Sequence, residues 1–315
     1  MIRYAMYDFI GDIHGQVMEL KSLLDKMGYA TNAGNYKNAE RKVVFLGDFI
    51  DRGRHQREVI NIARTMMQNG AALSVMGNHE YNAIAYFTQG TDGKYLRPRN
   101  EKNTGQHECF LKEFEADPSG WEDVISWFKT LPLWLELDGV RVVHACWDNS
   151  YIQKILKLQN GRSLMSEDLL FASADRSTWQ HRAIQTLLKG KEISLPGKIS
   201  FRDKDGNERR EIRTQWWKPQ TSTDTYQSMF IGPQNAISDI PDIPIKTPAT
   251  TSYPETELPV FIGHYWLKGQ PAPLAPNIAC VDYSVARPGG KLVAYRWDGE
   301  ITLDRSKFLS VERME

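Results

Sequence analysis

Residues 43–53 read VVFLGDFIDRG, an apolar run that stops at a Gly-Asp pair and continues into a polar segment. Its length and its branched and aromatic composition predict a buried strand that ends at the glycine. Four other apolar runs also end in a residue that can bind a metal: YDFIGDIHG (7–15), LSVMGNHE (73–80), RVVHAC (141–146) and PVFIGH (259–264). Because ligands collect beyond the carboxyl ends of strands in an open α/β sheet, we expect these side chains to converge.

The segments around these runs alternate strand-like and helix-like patterns. YAMYDFI, KVVFL and ALSVM predict three strands, and residues 16–27 and 54–70 between them carry apolar side chains at helical spacing. This βαβ order predicts a parallel sheet in an α/β protein. Hairpins are predicted around Asp138-Gly139 and Asp205-Gly206, a helical region over residues 151–189, and closing strands at PVFIG, IACVDY, KLVAYRW and EITL.

Composition limits the classes of function. The chain has 315 residues, 41% of them hydrophobic, which is enough for a substantial core, and we favour one domain over two. Lys+Arg and Asp+Glu balance at 39 each, so net charge gives no evidence for a nucleic-acid or membrane-surface partner. Three widely spaced cysteines argue against a disulfide framework and favour a reducing compartment. With neither a secretory signal nor an apolar span recognisable, we expect a soluble, cytoplasmic protein.

The strand-end residues offer oxygen and imidazole ligands but no thiolate, a set that suits Mn²⁺, Fe, Zn²⁺ or Mg²⁺. One metal with open positions needs only three or four protein ligands, so a larger set predicts two metals, with Asp48 as the natural carboxylate bridge. Taken singly, a Gly-Asp at a strand end is more often a turn or a helix N-cap, and a lone histidine is more often structural. Their joint occurrence favours a metal site. The candidate ligands are Asp12, His14, Asp48, Asn78, His144 and His264.

Within GNHE, turn chemistry explains Gly77 and Asn78, because both residues tolerate the left-handed backbone of a tight turn. It does not explain His79. Two further histidines, His107 and His181, lie in helix-like stretches and are interpreted as structural. The sequence therefore separates the strand-end histidines from these two.

GDIHG, GDFIDRG and GNHE, followed by His144 and Gly263-His264, resemble the phosphoprotein phosphatase branch of the calcineurin-like metallophosphoesterases. The resemblance spans residues 11 to 264 and implies a double β-sheet sandwich flanked by helices, with a binuclear metal site. By motif position it implies two ligand sets that share one carboxylate: Asp12, His14 and Asp48 for the first metal, and Asp48, Asn78, His144 and His264 for the second.

The same resemblance implies catalytic roles for three residues outside the ligand sets. His79 would be the general acid for the leaving group, and Asp51 would be the carboxylate that orients it. Arg52 would hold phosphate oxygens through its planar fork of donors. We expect two divalent cations, with Mn²⁺ as the first expectation and Fe, Zn²⁺ or Mg²⁺ as alternatives.

The expected function is hydrolysis of phosphomonoesters, in a phosphoprotein, a phosphopeptide or a small molecule, by direct attack of a metal-bound hydroxide. The alternative is a dinucleoside polyphosphate hydrolase, because the C-terminal tail resembles the end of small bacterial PrpE-type diadenosine tetraphosphatases. In that case Trp216, Trp217 or Trp266 could stack a base, although a buried core role suits most of them better. A non-catalytic phosphate-binding module is disfavoured, since Asp48, Asn78, His79 and His144 are all present.

We expect one catalytic domain over residues 1–315, with an insertion or cover region at about 190–258. Six prolines between Gly232 and Pro259 disfavour helix and central strand there and predict a long loop near the site. Such a cover would favour small molecules or short peptides as substrates. Arg213, in the charged segment before this loop, is a candidate for a second phosphate contact beside Arg52.

Overall fold

The computed structural model describes residues 6–32, 35–202, 206, 208–232, 234–245 and 252–314. Its strands are β1 (Met6–Ile10), β2 (Ala30–Asn32), β3 (Asn35–Lys37), β4 (Arg41–Phe45), β5 (Ala72–Ser74), β6 (Trp134–Leu137), β7 (Val140–Val143), β8 (Glu192–Ser194), β9 (Phe201–Arg202), β10 (Glu208–Arg209), β11 (Glu211–Arg213), β12 (Val260–Ile262), β13 (Ile278–Cys280), β14 (Asp282–Tyr283), β15 (Lys291–Trp297) and β16 (Phe308–Glu312).

The α-helices of the described residues are α1 (Val17–Lys26), α2 (Gln56–Gln68), α3 (Asn78–Phe87), α4 (Glu101–Gln106), α5 (Glu108–Phe114), α6 (Pro118–Phe128), α7 (Asn149–Leu158), α8 (Glu167–Ala174), α9 (Trp179–Lys189) and α10 (Tyr226–Met229). Two short 3₁₀ helices cover Gln234–Asp239 and Arg305–Lys307. Within the described ranges, no helix combines the length and the apolar character that crossing a membrane requires.

Two sheets form the centre of the molecule. The first has the order β14-β15-β1-β4-β5, with β16 also paired to β15. Its strands β1, β4 and β5 are parallel, as the βαβ order predicts, while β15 is antiparallel to β1. The second sheet has the order β13-β12-β7-β6. In it, β6 and β7 form the hairpin predicted at Asp138-Gly139, and β12 is parallel to both β7 and β13.

The inner faces of the two sheets pack against each other through apolar side chains. Phe9 of β1 stacks on Phe261 of β12, with ring centroids 3.8 Å apart, and Tyr295 of β15 packs on the same ring at 5.0 Å. Ile10, the next residue in β1, belongs instead to the core between sheet and helices, as the two-residue period of a strand requires. The chain is therefore a double-sheet sandwich flanked by helices, as predicted.

The helical region predicted at 151–189 is confirmed and contains α7, α8 and α9. The chain turns after α7 at Asn160 and Gly161, both with positive φ, and α8 and α9 each begin at their own N-cap. The strand predicted at EITL is wrong. There Trp297 Nε1 donates to the carbonyl of Glu300 at 2.8 Å and turns the chain, and the closing strand is β16, at 308–312, instead.

The region 190–258 has a small core of its own. Strand β8 pairs with β11, and β9 pairs with β10 in the hairpin predicted around residues 205–206. Ala236 and Ile240 of the proline-rich segment pack with Phe201, Ile212 and Phe230. Residues 233 and 246–251 lie outside the described residues, and the prediction that this segment covers the site stays a prediction.

Candidate metal centre

The predicted site residues lie in the loops that follow β1, β4, β5, β7 and β12, and several have an unusual backbone. The described residues include eight non-glycine residues with positive φ, and six of them are at this site. Such conformations are unfavourable for residues with a Cβ and persist only where the surrounding structure fixes them. One fixing contact is the carbonyl of Asp48, which accepts the backbone N–H of His14 at 2.9 Å. The six residues are His14, Asp48, Asp51, Arg52, His264 and Trp266.

Gly77 allows the loops after β4 and β5 to approach each other closely. Its backbone is extended, with φ −90° and ψ 174°, and Asn78 is the first residue of α3. The left-handed turn expected for this pair is therefore wrong. Glycine is required here because a Cβ would lie 2.2 Å from Asp48 Oδ1. That oxygen atom instead accepts the backbone N–H of His79 at 2.9 Å.

Glu80, the last residue of GNHE, holds the same two loops together and was not singled out from the sequence. Its buried carboxylate accepts the backbone N–H groups of Asp48 at 2.8 Å, Phe49 at 2.9 Å and Gly77 at 2.9 Å. Burial and then the charge of Asp48 raise the pKa of Glu80 to about 8. The sequence feature that could have identified Glu80 is its position in the GNHE motif.

The first cluster of possible ligands consists of His14, Asp48 and His79, whose ligand atoms lie within 4.8 Å of one another. Asp48 Oδ2 is 3.8 Å from His14 Nε2 and 3.8 Å from His79 Nε2. His14 Nδ1 donates to the carbonyl of Ile50 at 2.8 Å, which leaves Nε2 as the nitrogen atom that faces the cluster. The resemblance implies Asp12, His14 and Asp48 as the ligands of the first metal, whereas this cluster has His79 in place of Asp12.

The second cluster consists of Asp48, His144 and His264, again with ligand atoms within 4.8 Å of one another. His144 Nδ1 donates to the carbonyl of Leu46 at 2.5 Å, and its Nε2 lies 3.5 Å from Asp48 Oδ2. Asn78 Oδ1 lies 3.2 Å from this Nε2 and 2.6 Å from His264 Nδ1. The structure therefore brings four of the predicted ligands together here, and Asp48 is common to both clusters.

Asp12 lies at the edge of this arrangement, against the loop of His264. Its carboxylate accepts the backbone N–H of His264 at 3.1 Å and 3.3 Å. A Cβ at Gly263 would lie 2.2 Å from Asp12 Oδ1, so glycine is required before His264. Burial, followed by the charges of Asp282 and Asp48, raises the pKa of Asp12 well above its usual range. Keeping the Asp12 carboxylate ionised therefore costs free energy, which a nearby cation would offset.

The residues present fit divalent cations. Buried carboxylates and imidazoles supply hard and borderline ligands, and His14 Nε2 and His264 Nε2 are buried without a hydrogen-bond partner among the described residues. Burial, and then His79, lowers the pKa of His14, whereas burial, and then Arg213, lowers that of His264. Both imidazoles therefore stay neutral near pH 7, the form that can bind a metal.

His79 is held by a second buried carboxylate. His79 Nδ1 makes a short hydrogen bond to Asp51 Oδ2, and His107 Nδ1 donates to the two oxygen atoms of Asp51 at 3.0 Å and 3.1 Å. Burial by itself would raise the pKa of Asp51, but His107 and His79 outweigh it and lower that pKa well below its usual range. Asp51 is therefore ionised and can orient His79.

His107, interpreted as structural from the sequence, lies at the site in contact with Asp51. The helical pattern through this stretch is interrupted at His107, which lies between α4 and α5 and points into the site, fully buried. Gln106 beside it places its Nε2 3.3 Å from His79 Nδ1. Sequence reasoning missed both residues because 56 positions separate His107 from Asp51.

Arg52 stands at the rim of the site with Trp266. Its guanidinium lies over the Trp266 ring, 4.4 Å from the centroid, and the same ring is 5.4 Å from that of His14. Trp266 is partly exposed. Trp216 and Trp217 are buried, and Trp216 Nε1 donates to the carbonyl of Ala145 at 3.1 Å. Of the three tryptophans considered for base stacking, Trp266 is the one at the site.

Comparison with known proteins identifies related chains. A family model for calcineurin-like phosphoesterases matches residues 7–238. The chain is 32% identical over 140 residues to a bis(5'-nucleosyl)-tetraphosphatase PrpE (asymmetrical) of Oceanobacillus iheyensis, an alignment covering 44% of this chain and 54% of that protein. The chain thus spans about half the length of this curated relative.

Solved structures share the fold at low sequence identity. A protein serine/threonine phosphatase from Saccharomyces cerevisiae superposes with a TM-score of 0.52 and 14% identity, over 99% of this chain and 81% of that one. A cold-active protein-tyrosine phosphatase of a psychrophilic Shewanella species superposes with a TM-score of 0.51 and 17% identity, over 98% and 81% of the two chains. These likenesses establish the double-sheet fold.

Proposed function

Because the chain belongs to the calcineurin-like phosphoesterase family, we propose that it hydrolyses phosphomonoesters with two divalent cations held around Asp48. One observation carries the proposal: Asp48 Oδ2 lies 3.5–3.8 Å from imidazole nitrogen atoms of His14, His79 and His144, which come from three separate segments of the chain. Two cations bound there would lower the pKa of a shared water and polarise a phosphoryl group. Mn²⁺ is the proposed metal, in keeping with oxygen and imidazole ligands.

The proposed ligand sets share one carboxylate, and the distances support the second set most directly. Asn78 Oδ1 lies 3.2 Å from His144 Nε2 and 2.6 Å from His264 Nδ1. The ligand atoms of both histidines also lie within 4.8 Å of that of Asp48. Asp12 would complete the first set from its position beside His264. The proposed sets are Asp12, His14 and Asp48 for one cation, and Asp48, Asn78, His144 and His264 for the other.

The remaining site residues would position the substrate and move a proton. His79 donates the proton on Nε2 to the leaving-group oxygen, while Asp51 accepts the hydrogen bond from Nδ1 and fixes the plane of the ring. His107 is the second donor to Asp51. Arg52 binds two phosphate oxygens through its guanidinium, which the Trp266 ring holds in place.

The metal requirement is the first prediction. Removing metal with a chelator is expected to abolish hydrolysis of p-nitrophenyl phosphate, and adding Mn²⁺ to restore it, because both clusters need cations to position and polarise the phosphoryl group. The measurement is the steady-state rate, combined with metal content by mass spectrometry. Circular dichroism of the stripped protein is the control for folding. Full activity in protein shown to be metal-free would contradict the proposal.

A second candidate function is hydrolysis of a dinucleoside polyphosphate. The relative from Oceanobacillus iheyensis carries a name for that activity. In this chain, the partly exposed Trp266 lies beside Arg52 at the rim of the site, where an aromatic ring suits a contact with a nucleotide base while Arg52 holds a phosphate. Under this candidate the leaving group is a nucleotide, and the bond that breaks is an anhydride.

A substrate panel is the second prediction. The panel compares kcat/KM for p-nitrophenyl phosphate, phosphoserine peptides, AMP and diadenosine tetraphosphate in the wild type and in Trp266→Leu. The phosphomonoesterase proposal expects monoesters to be preferred, with Trp266→Leu lowering all values by a similar factor through Arg52. A preference of about tenfold or more for the dinucleotide, lost selectively in Trp266→Leu, would assign the second candidate instead.

The single-domain organisation with an insertion at about 190–258 is part of the proposal. Trp216 of this region contacts the loop of the second cluster, because its Nε1 donates to the carbonyl of Ala145, the residue after His144, at 3.1 Å. We propose that the insertion limits access and that Arg213 is a second phosphate contact. Short phosphopeptides should then be hydrolysed faster than the same phosphosites in folded proteins.

A further inference from the structure

The break between α4 and α5 lies directly beside the proposed proton donor. Helix α4 ends at Gln106 and α5 begins at Glu108, so His107 is the one residue between them. Its backbone angles, φ −96° and ψ 10°, depart from those of an α-helix. Its ring meets that of Tyr86 edge-on, with ring centroids 5.4 Å apart, and its Nδ1 contacts Asp51. The break between the helices thus places a fully buried imidazole against Asp51.

The Asp51 carboxylate depends on two imidazoles. Within the described ranges, its hydrogen-bond donors are His79 Nδ1, to Oδ2, and His107 Nδ1, which lies 3.0 Å from Oδ2 and 3.1 Å from Oδ1. Asp51 is fully buried, and a carboxylate away from water needs such donors to remain charged and in one orientation. Of the two imidazoles, His107 is the one that contacts both oxygen atoms.

The His107 ring has a polar contact on one side only. Its Nδ1 faces the carboxylate and carries the hydrogen that it donates, whereas its Nε2 is buried without a hydrogen-bond partner in the described part of the chain. A hydrogen on Nε2 would therefore be an unsatisfied donor in the interior. Among the described side chains, the polar contact of this ring is with Asp51 alone.

Helix α5 makes two further contacts with the segment that follows β4. Cys109 Sγ donates to the carbonyl of Arg52 at 3.4 Å. About one turn further along, the Glu113 carboxylate accepts the backbone N–H groups of Gln56 at 2.6 Å and Arg57 at 2.9 Å, at the start of α2. The helix that follows His107 is therefore attached to the same segment that contains Asp51.

The backbone of Asp51 is held separately from its carboxylate. Asp51 and Arg52 have φ 70° and 68°, which is unfavourable for residues with a Cβ. The Gln56 side chain accepts the backbone N–H of Asp51 at 2.7 Å and donates to the carbonyl of Gly53 at 2.5 Å. These contacts fix the main chain but do not fix the rotation of the carboxylate. That rotation is determined by the two imidazoles.

We propose that His107 is a positioning residue for the proton donor and acts through Asp51. The proposal rests on the proposed hydrolase function, since it assigns His107 to the step in which His79 protonates the leaving group. Because His107 contacts both oxygen atoms, Asp51 keeps one orientation, and the hydrogen bond from His79 Nδ1 then fixes the direction of His79 Nε2. A proton donor whose direction is fixed before the reaction needs less reorganisation in the transition state.

Two substitutions test whether the donor of His107 matters. His107→Leu removes the donor, and His107→Asn keeps one, because the amide nitrogen of asparagine is attached to Cγ, as Nδ1 of histidine is. The measurement is kcat/KM for β-glycerophosphate, an alkyl phosphate, and for p-nitrophenyl phosphate with the Mn²⁺-loaded enzyme. Losing one charge-assisted hydrogen bond is expected to lower the alkyl value by roughly 10–100-fold and the aryl value much less in His107→Leu. His107→Asn should recover most of the wild-type ratio of the two values.

A double-mutant cycle tests whether His107 acts through His79. In the His79→Ala background, the proton donor is absent, so adding His107→Leu should cause no further decrease in kcat/KM for β-glycerophosphate. Losses that add in the double variant would overturn the proposal, because they would show a contribution that does not depend on His79. Metal content of His107→Leu should equal that of the wild type. A lower content would assign His107 to metal binding and overturn the proposal as well.

A second variant keeps the test valid where His107→Leu fails to fold, as judged by circular dichroism. His107→Gln retains a polar side chain but places its amide one bond farther from the backbone, so it should also lower the ratio. The control is His181→Leu, in which the altered histidine donates to the carbonyl of Ser173 instead, and it should leave the ratio unchanged.

Two further results would contradict the proposal alone, given an active wild type. One is an unchanged ratio in both His107→Leu and His107→Gln, and the other is a ratio in His107→Asn as low as that in His107→Leu. Wild-type protein without metal-dependent hydrolysis of p-nitrophenyl phosphate would contradict the proposed function and, with it, this role of His107.

Discussion

Asp48→Asn is expected to lower kcat/KM for p-nitrophenyl phosphate by roughly 10³-fold or more, since the metal pair is proposed to supply several kcal/mol of transition-state stabilisation. Asp48 belongs to both clusters, so a neutral amide at this position weakens both cation sites at once. The substitution keeps an oxygen atom that can accept the backbone N–H of His79, now 2.9 Å from Asp48 Oδ1. The fold is therefore expected to survive. Metal content per chain, measured beside the rates, should fall below the wild-type value.

A matched control is available in Asp282→Asn, which neutralises another buried carboxylate near the site. Asp282 accepts the backbone N–H groups of Trp266 at 2.7 Å and Ser284 at 3.0 Å and is outside both proposed ligand sets. Its replacement should leave metal content close to that of the wild type and reduce activity less than Asp48→Asn does. Thermal unfolding of both variants separates lost stability from lost chemistry. Equal metal content and equal activity in the two variants would contradict a bridging role for Asp48.

The parallel part of the fold was predictable from local sequence patterns, whereas the pairing of two sheets in a sandwich was implied by the family resemblance. Strands β1, β4 and β5 each lie in an apolar run that stops at a glycine followed by a polar residue, and their parallel arrangement gathers those ends at one edge. The same pattern located the candidate ligands without any knowledge of distances. Strands of two or three residues in the insertion have too few side chains to show a period, and β8 escaped notice for that reason.

The supporting residues of the site were not predictable, because their roles arise from tertiary contacts. His107 contacts Asp51 across 56 positions, and Glu80 contacts the backbone of Asp48 across 32. The end of α9 packs against Tyr265, the residue after His264, where a Cβ at Gly190 would lie 2.5 Å from the Tyr265 hydroxyl. Gly77 had a plausible local explanation in turn chemistry, yet the reason for glycine is the neighbouring loop. Local patterns identify which residues carry the chemistry, and packing decides which residues hold them.

His79→Ala is expected to lower kcat/KM for an alkyl phosphate by roughly 10²–10⁴-fold, the range for a positioned general acid. An alkoxide leaves poorly unless it is protonated, and His79 is the imidazole that Asp51 holds through Nδ1, leaving Nε2 free for the substrate. An aryl phosphate such as p-nitrophenyl phosphate has an acidic leaving group that needs little protonation. The decrease in kcat/KM for p-nitrophenyl phosphate should therefore be much smaller than the decrease for the alkyl phosphate. The measurement is the pair of kcat/KM values in the variant and the wild type.

The comparison of two leaving groups separates proton donation from the other roles that His79 could have. His79 Nε2 lies 3.8 Å from Asp48 Oδ2, so removing the ring could also disturb the first cluster. Such a disturbance would lower kcat/KM for both substrates by the same factor, because hydrolysis of both depends equally on the cations. His181→Ala is the matched control, since His181 lies in α9 and donates from Nδ1 to the carbonyl of Ser173 at 2.8 Å. It should change neither value. Equal losses on the two substrates in His79→Ala would assign His79 to metal positioning and leave the proton donor to another group.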